Sequence, residues 1–189
     1  ILDSHQPRSL LTVSLNPVHT AIASKAIETP QEKLAAILDS HQPRSLLTVS
    51  LNPVPVVQHW CDDHDCELIS IQELDPFKQL EAVRRVDMAV VADQLEYMSH
   101  KDGEALLGLL RNLHTDSMVA VYQPRLAPEK LRWPHNGFLA LGCREEGHFA
   151  QDGRELDIYS YDLDDYNFRR QWNNPRFWAN PEHWGKYWW

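Results

Sequence analysis

The stretch Val86–Met98, which reads V-D-M-A-V-V-A-D-Q-L-E-Y-M, leaves little freedom in how this chain can fold. Met88–Ala92 is a short apolar run with β-branched content, preceded by Asp87 and ended by Asp93. That is the pattern of a strand buried on both faces. An amphipathic helix is expected over Lys101–Leu113, where Leu106, Leu107, Leu109, Leu110 and Leu113 make one broad apolar face. Met118–Tyr122 is a second buried run. Strand, helix and parallel strand form a right-handed βαβ crossover, which needs a covered sheet. The acids leaving the first strand then lie at the carboxyl edge of a parallel sheet, where open α/β folds bind ligands.

Upstream, Ser45–Leu51 reads as the central strand and runs into the turn Ser50-Leu51-Asn52-Pro53-Val54-Pro55. A short helix is expected over Val56–Asp63 and a strand over Glu67–Gln72, followed by Glu73. Asp75-Pro76 is a helix start, with Asp75 as N-cap and the helix reaching about Arg85. Val86 follows directly, so the sheet has no room for a further strand on that side.

Asp87–Pro124, from D-M-A-V-V-A-D-Q-L-E-Y-M through A-L-L-G-L-L-R-N-L to M-V-A-V-Y-Q-P, resembles the central part of the class I S-adenosylmethionine-dependent methyltransferase superfamily. The local likeness extends more loosely over about Arg44–Tyr161. It implies an α/β fold: a three-layer Rossmann-like methyltransferase-type sheet, mostly parallel with an antiparallel closing hairpin. The cofactor it implies is S-adenosylmethionine, held by Asn52, Glu73, Asp93 and Gln94. Glu73 matches the acid that accepts ribose hydroxyls in that family, a role that suits a carboxylate because it accepts two hydrogen bonds in a fork. Glu96 and Tyr97 fall where the family often places groups facing the methyl acceptor. The chain departs from the family at Ser50–Pro55, which has no glycine where the family has a glycine-rich turn. Glycine serves such turns by adopting positive φ beside a ligand. Asn52 substitutes in part, although a residue before proline favours extended geometry.

Ile1–Val18 is repeated verbatim as Ile37–Val54. There is no third copy, so the chain is no solenoid; a recent segmental duplication or an artefact accounts for such identity. Thr29-Pro30-Gln31-Glu32 supplies a capping box ahead of the second copy. A helix Pro30–Ser40, stopped by Pro43, therefore leads into the strand at Ser45, and the second copy is the one built into the fold. The first offers the same strand to the same sheet as an edge addition, a swapped strand or an arm. The domain reading is 1–28 as a duplicated N-terminal arm, 29–165 as the methyltransferase-like domain and 166–189 as an aromatic tail.

Beyond Pro124 a helical turn is expected over Pro128–Arg132 and a helix over Asn136–Leu141. Cys143–His148 and Glu155–Asp162 read as two strands joined through Asp152-Gly153, a hairpin signal. The tail holds Trp172, Phe177, Trp178, Trp184, Tyr187, Trp188 and Trp189 among Asn, Pro and Arg. Aromatics this dense fold back over a core or form a recognition surface, and a wrap over the domain is the expectation.

A formal net charge of −9 argues against a nucleic-acid surface. No apolar run approaches a membrane span, and no secretory signal pattern opens the chain. Three cysteines build no disulfide framework, so the expected compartment is the cytoplasm. His59, Cys61, His64 and Cys66 supply imidazoles and thiols at a spacing unlike a common zinc finger, so no metal is expected there. Three functions stay open: methyl transfer with an altered cofactor turn to an acceptor, small molecule or protein, that the sequence does not name; a non-catalytic interaction module; and a small metal-binding protein. Self-association through the arm or the tail is the expected partner chemistry.

Overall fold

Thr29 and Glu32 cap the first helix reciprocally. The Thr29 hydroxyl accepts the Glu32 N–H at 3.2 Å, and Glu32 Oε2 accepts the Thr29 N–H at 2.8 Å. The computed structural model describes residues 28–166, so the expectations for the first repeat copy and for the aromatic tail beyond Tyr166 lie outside the described residues. Helix α1 (Pro30–His41) ends at Gln42 in left-handed geometry and leads into β1 (Ser45–Val49). Then come α2 (Pro55–His64), β2 (Glu67–Ile71), α3 (Phe77–Leu80), β3 (Met88–Ala92) and α4 (His100–Leu109). β4 (Ser117–Tyr122), α5 (His135–Ala140), β5 (Arg144–Gln151), β6 (Arg154–Asp162) and α6 (Leu163–Tyr166) complete the described chain.

The six strands form one sheet in the order β2-β1-β3-β4-β6-β5. β2, β1, β3 and β4 are parallel, while β6 runs antiparallel to β4 and β5 antiparallel to β6. This is the mostly parallel α/β sheet with a closing hairpin that the resemblance implies, and among the described residues no strand lies outside β2. Asp152 and Gly153 turn the hairpin with φ of 50° and 75°, the left-handed pair that a two-residue turn of matching twist requires.

Alternate strand residues face opposite layers, because side chains in a strand point to alternate sides. Leu47, Val49, Ala89, Val91, Ala120 and Tyr122 join one core with Leu80, Leu106, Leu107, Leu110 and Phe138 from the α3, α4 and α5 side. Leu46, Met88, Val90 and Val119 join the other core with Leu34, Ile37 and Leu38 of α1 and Val57 and Trp60 of α2. All five residues of β3 are buried, as expected for the strand the fold is built around.

Two helices differ from the sequence expectation. The helix expected from Asp75 to Arg85 is only α3; beyond it Ala82 and Val83 donate to carbonyls three residues back, and the tightened turns carry the chain to Val86. The helix expected to Leu113 widens after Leu109 into a π turn over Leu110–His114. The extra residue rotates the apolar stripe, so Leu113 is 62% exposed and His114 is buried in its place.

Candidate functional site

At the tip of β3, Asp93 adopts φ of 48°, so the chain turns sharply at the carboxyl edge. The Leu51 N–H donates to the Asp93 carbonyl at 3.4 Å, and the Asn52 side-chain amide donates to the Asp93 carboxylate. Ser50 Oγ donates to the Asn52 carbonyl at 2.6 Å, which folds the turn after β1 back on itself. Among the described residues, positive φ falls at Gln42, Asp65, Asp93, Asp152, Gly142 and Gly153. The turn Ser50–Pro55 therefore forms without a left-handed residue, consistent with Pro53 holding Asn52 extended. The left-handed residue at this edge is Asp93, after β3.

Asp93 also faces Tyr97, which is 47% exposed. The negative charge of Asp93 pushes the Tyr97 phenol above its ordinary range, because a phenolate there would meet a second anion. Asn52, Asp93 and Tyr97 thus form one contiguous polar cluster, joining two residues expected for the cofactor with one expected for the acceptor. Glu73 is exposed on the loop after β2. Gln94 does not reach solvent: it is fully buried, and its Nε2 donates to the carbonyls of Glu73 at 3.3 Å and Leu74 at 3.1 Å. It positions the loop that carries Glu73.

Glu96, expected on the acceptor side, is also fully buried. Its Oε1 accepts the Gln123 N–H at 2.6 Å, which clasps the short helical turn Leu95–Tyr97 to the end of β4. Burial raises its pKa against the opposing pull of that hydrogen bond. Oε2 is buried without a partner among the described residues.

Of the four His and Cys residues of the metal alternative, Cys61 and Cys66 meet side chain to side chain, and no third member joins them to make a metal site. His64 stacks on Trp60 at 4.2 Å and its Nδ1 is spent on the Trp60 carbonyl at 2.9 Å, while His59 is exposed. Cys61 is buried, and desolvation pushes its thiol up to about 12. Cys66 is half-buried, and burial raises its thiol too. Among the described residues no three His, Cys, Asp or Glu side chains are placed to hold a metal.

Sequence reasoning missed three features of this edge. Leu74 and Leu126, 61% and 50% exposed, give the edge apolar rims beside Glu73 and beyond β4. His148 Nδ1 donates to the Asp157 carboxylate at 2.6 Å, and that hydrogen bond raises the His148 pKa. Asp157 stands opposite Tyr122, the last residue of β4, so this pair lies at the same edge of the sheet. Counting outward from the Asp152-Gly153 turn pairs 151 with 154 and 148 with 157, so that signal was present.

The family described as "Family of unknown function (DUF6231)" matches residues 28–189. No curated protein matches the chain. Solved structures that are similar include an rRNA methylase from Escherichia coli, at 17% identity over 68% of this chain and 61% of that one, with a TM-score of 0.40. Magnesium protoporphyrin IX methyltransferase from Synechocystis PCC 6803 with bound SAM is similar at 11% identity, over 69% of this chain and 76% of that one, with a TM-score of 0.49. The O-methyltransferase from Bacillus cereus in complex with SAH is similar at 10% identity, over 71% of this chain and 81% of that one, with a TM-score of 0.42. This chain thus spans less than two thirds of the E. coli structure. Among the described residues no helix is long and apolar enough to cross a membrane.

Proposed function

We propose that this chain, which belongs to the family of unknown function DUF6231, binds S-adenosylmethionine at the carboxyl edge of its sheet and transfers a methyl group from it. The observation that carries the reading is the Asn52–Asp93–Tyr97 cluster between the tips of β1 and β3, with Glu73 one strand away.

The residues present suit such a guest. Its sulfonium and ammonium are cationic, and the edge offers the carboxylates of Asp93 and Glu73. A ribose offers hydroxyl donors, which an exposed carboxylate such as Glu73 accepts in a fork. A purine offers apolar faces, which the exposed Leu74 suits. The cofactor, when bound, supplies an electrophilic methyl group. The protein's share is to hold and align the two reactants, so few side chains need act on the reacting atoms. Asn52 and Asp93 would fix the cofactor side, Gln94 would hold the Glu73 loop in place, and Tyr97 would stand between cofactor and acceptor.

The hydrogen bond from Asn52 to Asp93 also favours a second reading. It ties the two strand tips together, as expected of a methyltransferase fold kept as a non-catalytic interaction module. Calorimetric titration with S-adenosylmethionine and with its demethylated product separates the two. Saturable binding near the micromolar range, weakened at least about tenfold by Glu73→Ala, is the expected result. No heat at millimolar ligand would remove the enzyme and leave the module.

A further inference from the structure

We propose that Cys61 and Cys66 form a reversible redox pair, which a small disulfide of the glutathione class converts into one intramolecular disulfide at the end of α2. In a continuing helix, residues at this spacing would face different sides. Here the helix stops between them. Asp65 turns left-handed, with φ of 52° and ψ of 42°. Its N–H and that of Cys66 both converge on the Cys61 carbonyl, the Cys66 bond at 3.0 Å. This closure folds the chain back over the last turn of α2 and sets Cys66 against the core cluster that holds Cys61. The two side chains meet there, with the Cys61 S–H donating to the Cys66 sulfur.

The two thiols differ in the way a redox pair requires. Cys61 is buried, and desolvation holds it protonated, with its pKa pushed up to about 12. Cys66 is half-buried and is therefore the sulfur that a reagent in solution reaches. Burial raises its thiol too; the hydrogen bond from Cys61 opposes that rise, and the charges of Asp87 and Glu67 add to it. Attack therefore begins at Cys66, slowly at neutral pH and faster as the thiolate fraction grows. The third cysteine is out of reach. Cys143 belongs to the core on the opposite face of the sheet, so within one molecule Cys61 and Cys66 can pair only with each other.

The Cys66 thiolate attacks one sulfur of glutathione disulfide, whose S–S bond breaks. A mixed disulfide forms at Cys66 and a glutathione thiolate leaves. Cys61 then gives up its proton and attacks the Cys66 sulfur. The Cys61–Cys66 bond forms as the second glutathione thiolate leaves, and that thiolate takes up the proton. Two electrons pass from the protein to glutathione disulfide, which ends as two thiols. An accessible thiol beside a resolving thiol is the arrangement of a redox sensor. Disulfides of this transient kind are the ones found in a reducing compartment. The bond fastens the end of α2 to the residue before β2 by side chains as well as by backbone.

The inference is independent of the methyl-transfer reading. In its test the folded full chain is incubated with glutathione disulfide at about pH 8.5, where an ordinary thiol is half ionised. The reaction is quenched with acid and followed by intact mass and peptide mapping. The expected product has lost two hydrogens, carries no glutathione, joins Cys61 to Cys66, leaves Cys143 free and is reversed by dithiothreitol. Cys61→Ala is expected to stop at one glutathione on Cys66. In Cys66→Ala, Cys61 is expected to react at least about tenfold more slowly than Cys66 does in the parent, because it is buried; equal reactivity would overturn the proposal. The parent's own product decides the question even where a variant fails to fold. A stable glutathione adduct at Cys66, a disulfide to Cys143, or a Cys61–Cys66 bond that forms only in urea would each overturn the proposal.

Discussion

Glu96, fully buried, accepts the Gln123 N–H at 2.6 Å and so joins the exit of β3 to the exit of β4 through one carboxylate oxygen. The second oxygen is buried without a partner among the described residues, and burial raises the pKa of the group. A glutamine in this place keeps the acceptor and removes the charge. A group whose folded pKa lies above its unfolded one contributes stability that is complete below the ordinary glutamate value. That contribution is lost as pH rises through the raised value. Glu96→Gln is therefore expected to match the parent below the ordinary glutamate value and to be the more stable protein at pH 8. Glu96→Ala, which leaves the Gln123 N–H without its acceptor, is expected to lose about 1–3 kcal/mol. Urea denaturation at the two pH values measures both.

Gln94 links stability to the candidate site through the loop it holds. Gln94→Leu removes the donor to the Glu73 and Leu74 carbonyls while keeping the volume. The expected cost is about 1 kcal/mol, the net worth of an ordinary hydrogen bond, because the two carbonyls are only part-buried and water can take the place of the amide. In the methyl-transfer reading it also weakens cofactor binding, since the Glu73 carboxylate loses its fixed position. Denaturation and calorimetric titration of the same variant give the two readouts. Unchanged stability would show that the loop does not depend on this contact.

The coupling of Asp93 to Tyr97 is measurable directly. The Asp93 charge holds the Tyr97 phenol above its ordinary range, so Asp93→Asn is expected to bring that titration back down. The signal is the phenolate absorbance of Tyr97, isolated as the difference between each protein and its Tyr97→Phe partner. An unchanged midpoint would mean that the two side chains do not face each other in solution.

Much of this fold is legible in local sequence. The five residues of β3 fall where the apolar run between Asp87 and Asp93 places them, and the Thr29 and Asp152-Gly153 signals mark a helix start and a hairpin turn. What local pattern did not show is set by tertiary demands. The π turn that exposes Leu113 depends on where α4 must deliver the chain for β4, and a leucine count carries no such information. The candidate site divides the same way. Asn52, Asp93 and Tyr97 meet because parallel strands bring their tips together, which topology implies. Gln94 and Glu96 look like site residues because they are polar beside an acid, yet each is turned inward to hold a neighbouring loop. Sequence shows a polar residue at a strand exit but not which way its side chain turns.

Helix α4 contains an internal control for close packing. At Gly103 an added Cβ would lie 2.5 Å from Trp133 Cζ2 and 3.3 Å from Leu95 Cδ2, whereas at Gly108 nothing lies within 4 Å. Trp133 has little room to give, since it is buried against Phe138 with ring centroids 4.8 Å apart and against His100 at 5.7 Å. Alanine in place of glycine inside a helix is ordinarily favourable by about 1 kcal/mol. Gly108→Ala is expected to show that gain. At Gly103 the same intrinsic gain is opposed by overpacking, which typically costs about 1–3 kcal/mol. Gly103→Ala is therefore expected to be destabilising on balance, and Gly103→Ala combined with Trp133→Phe to recover part of the loss. Thermal melts of the three variants check the ordering. A stabilising Gly103→Ala would show that the indole does not press on α4, and would remove the contact that holds the segment after β4 against the helix.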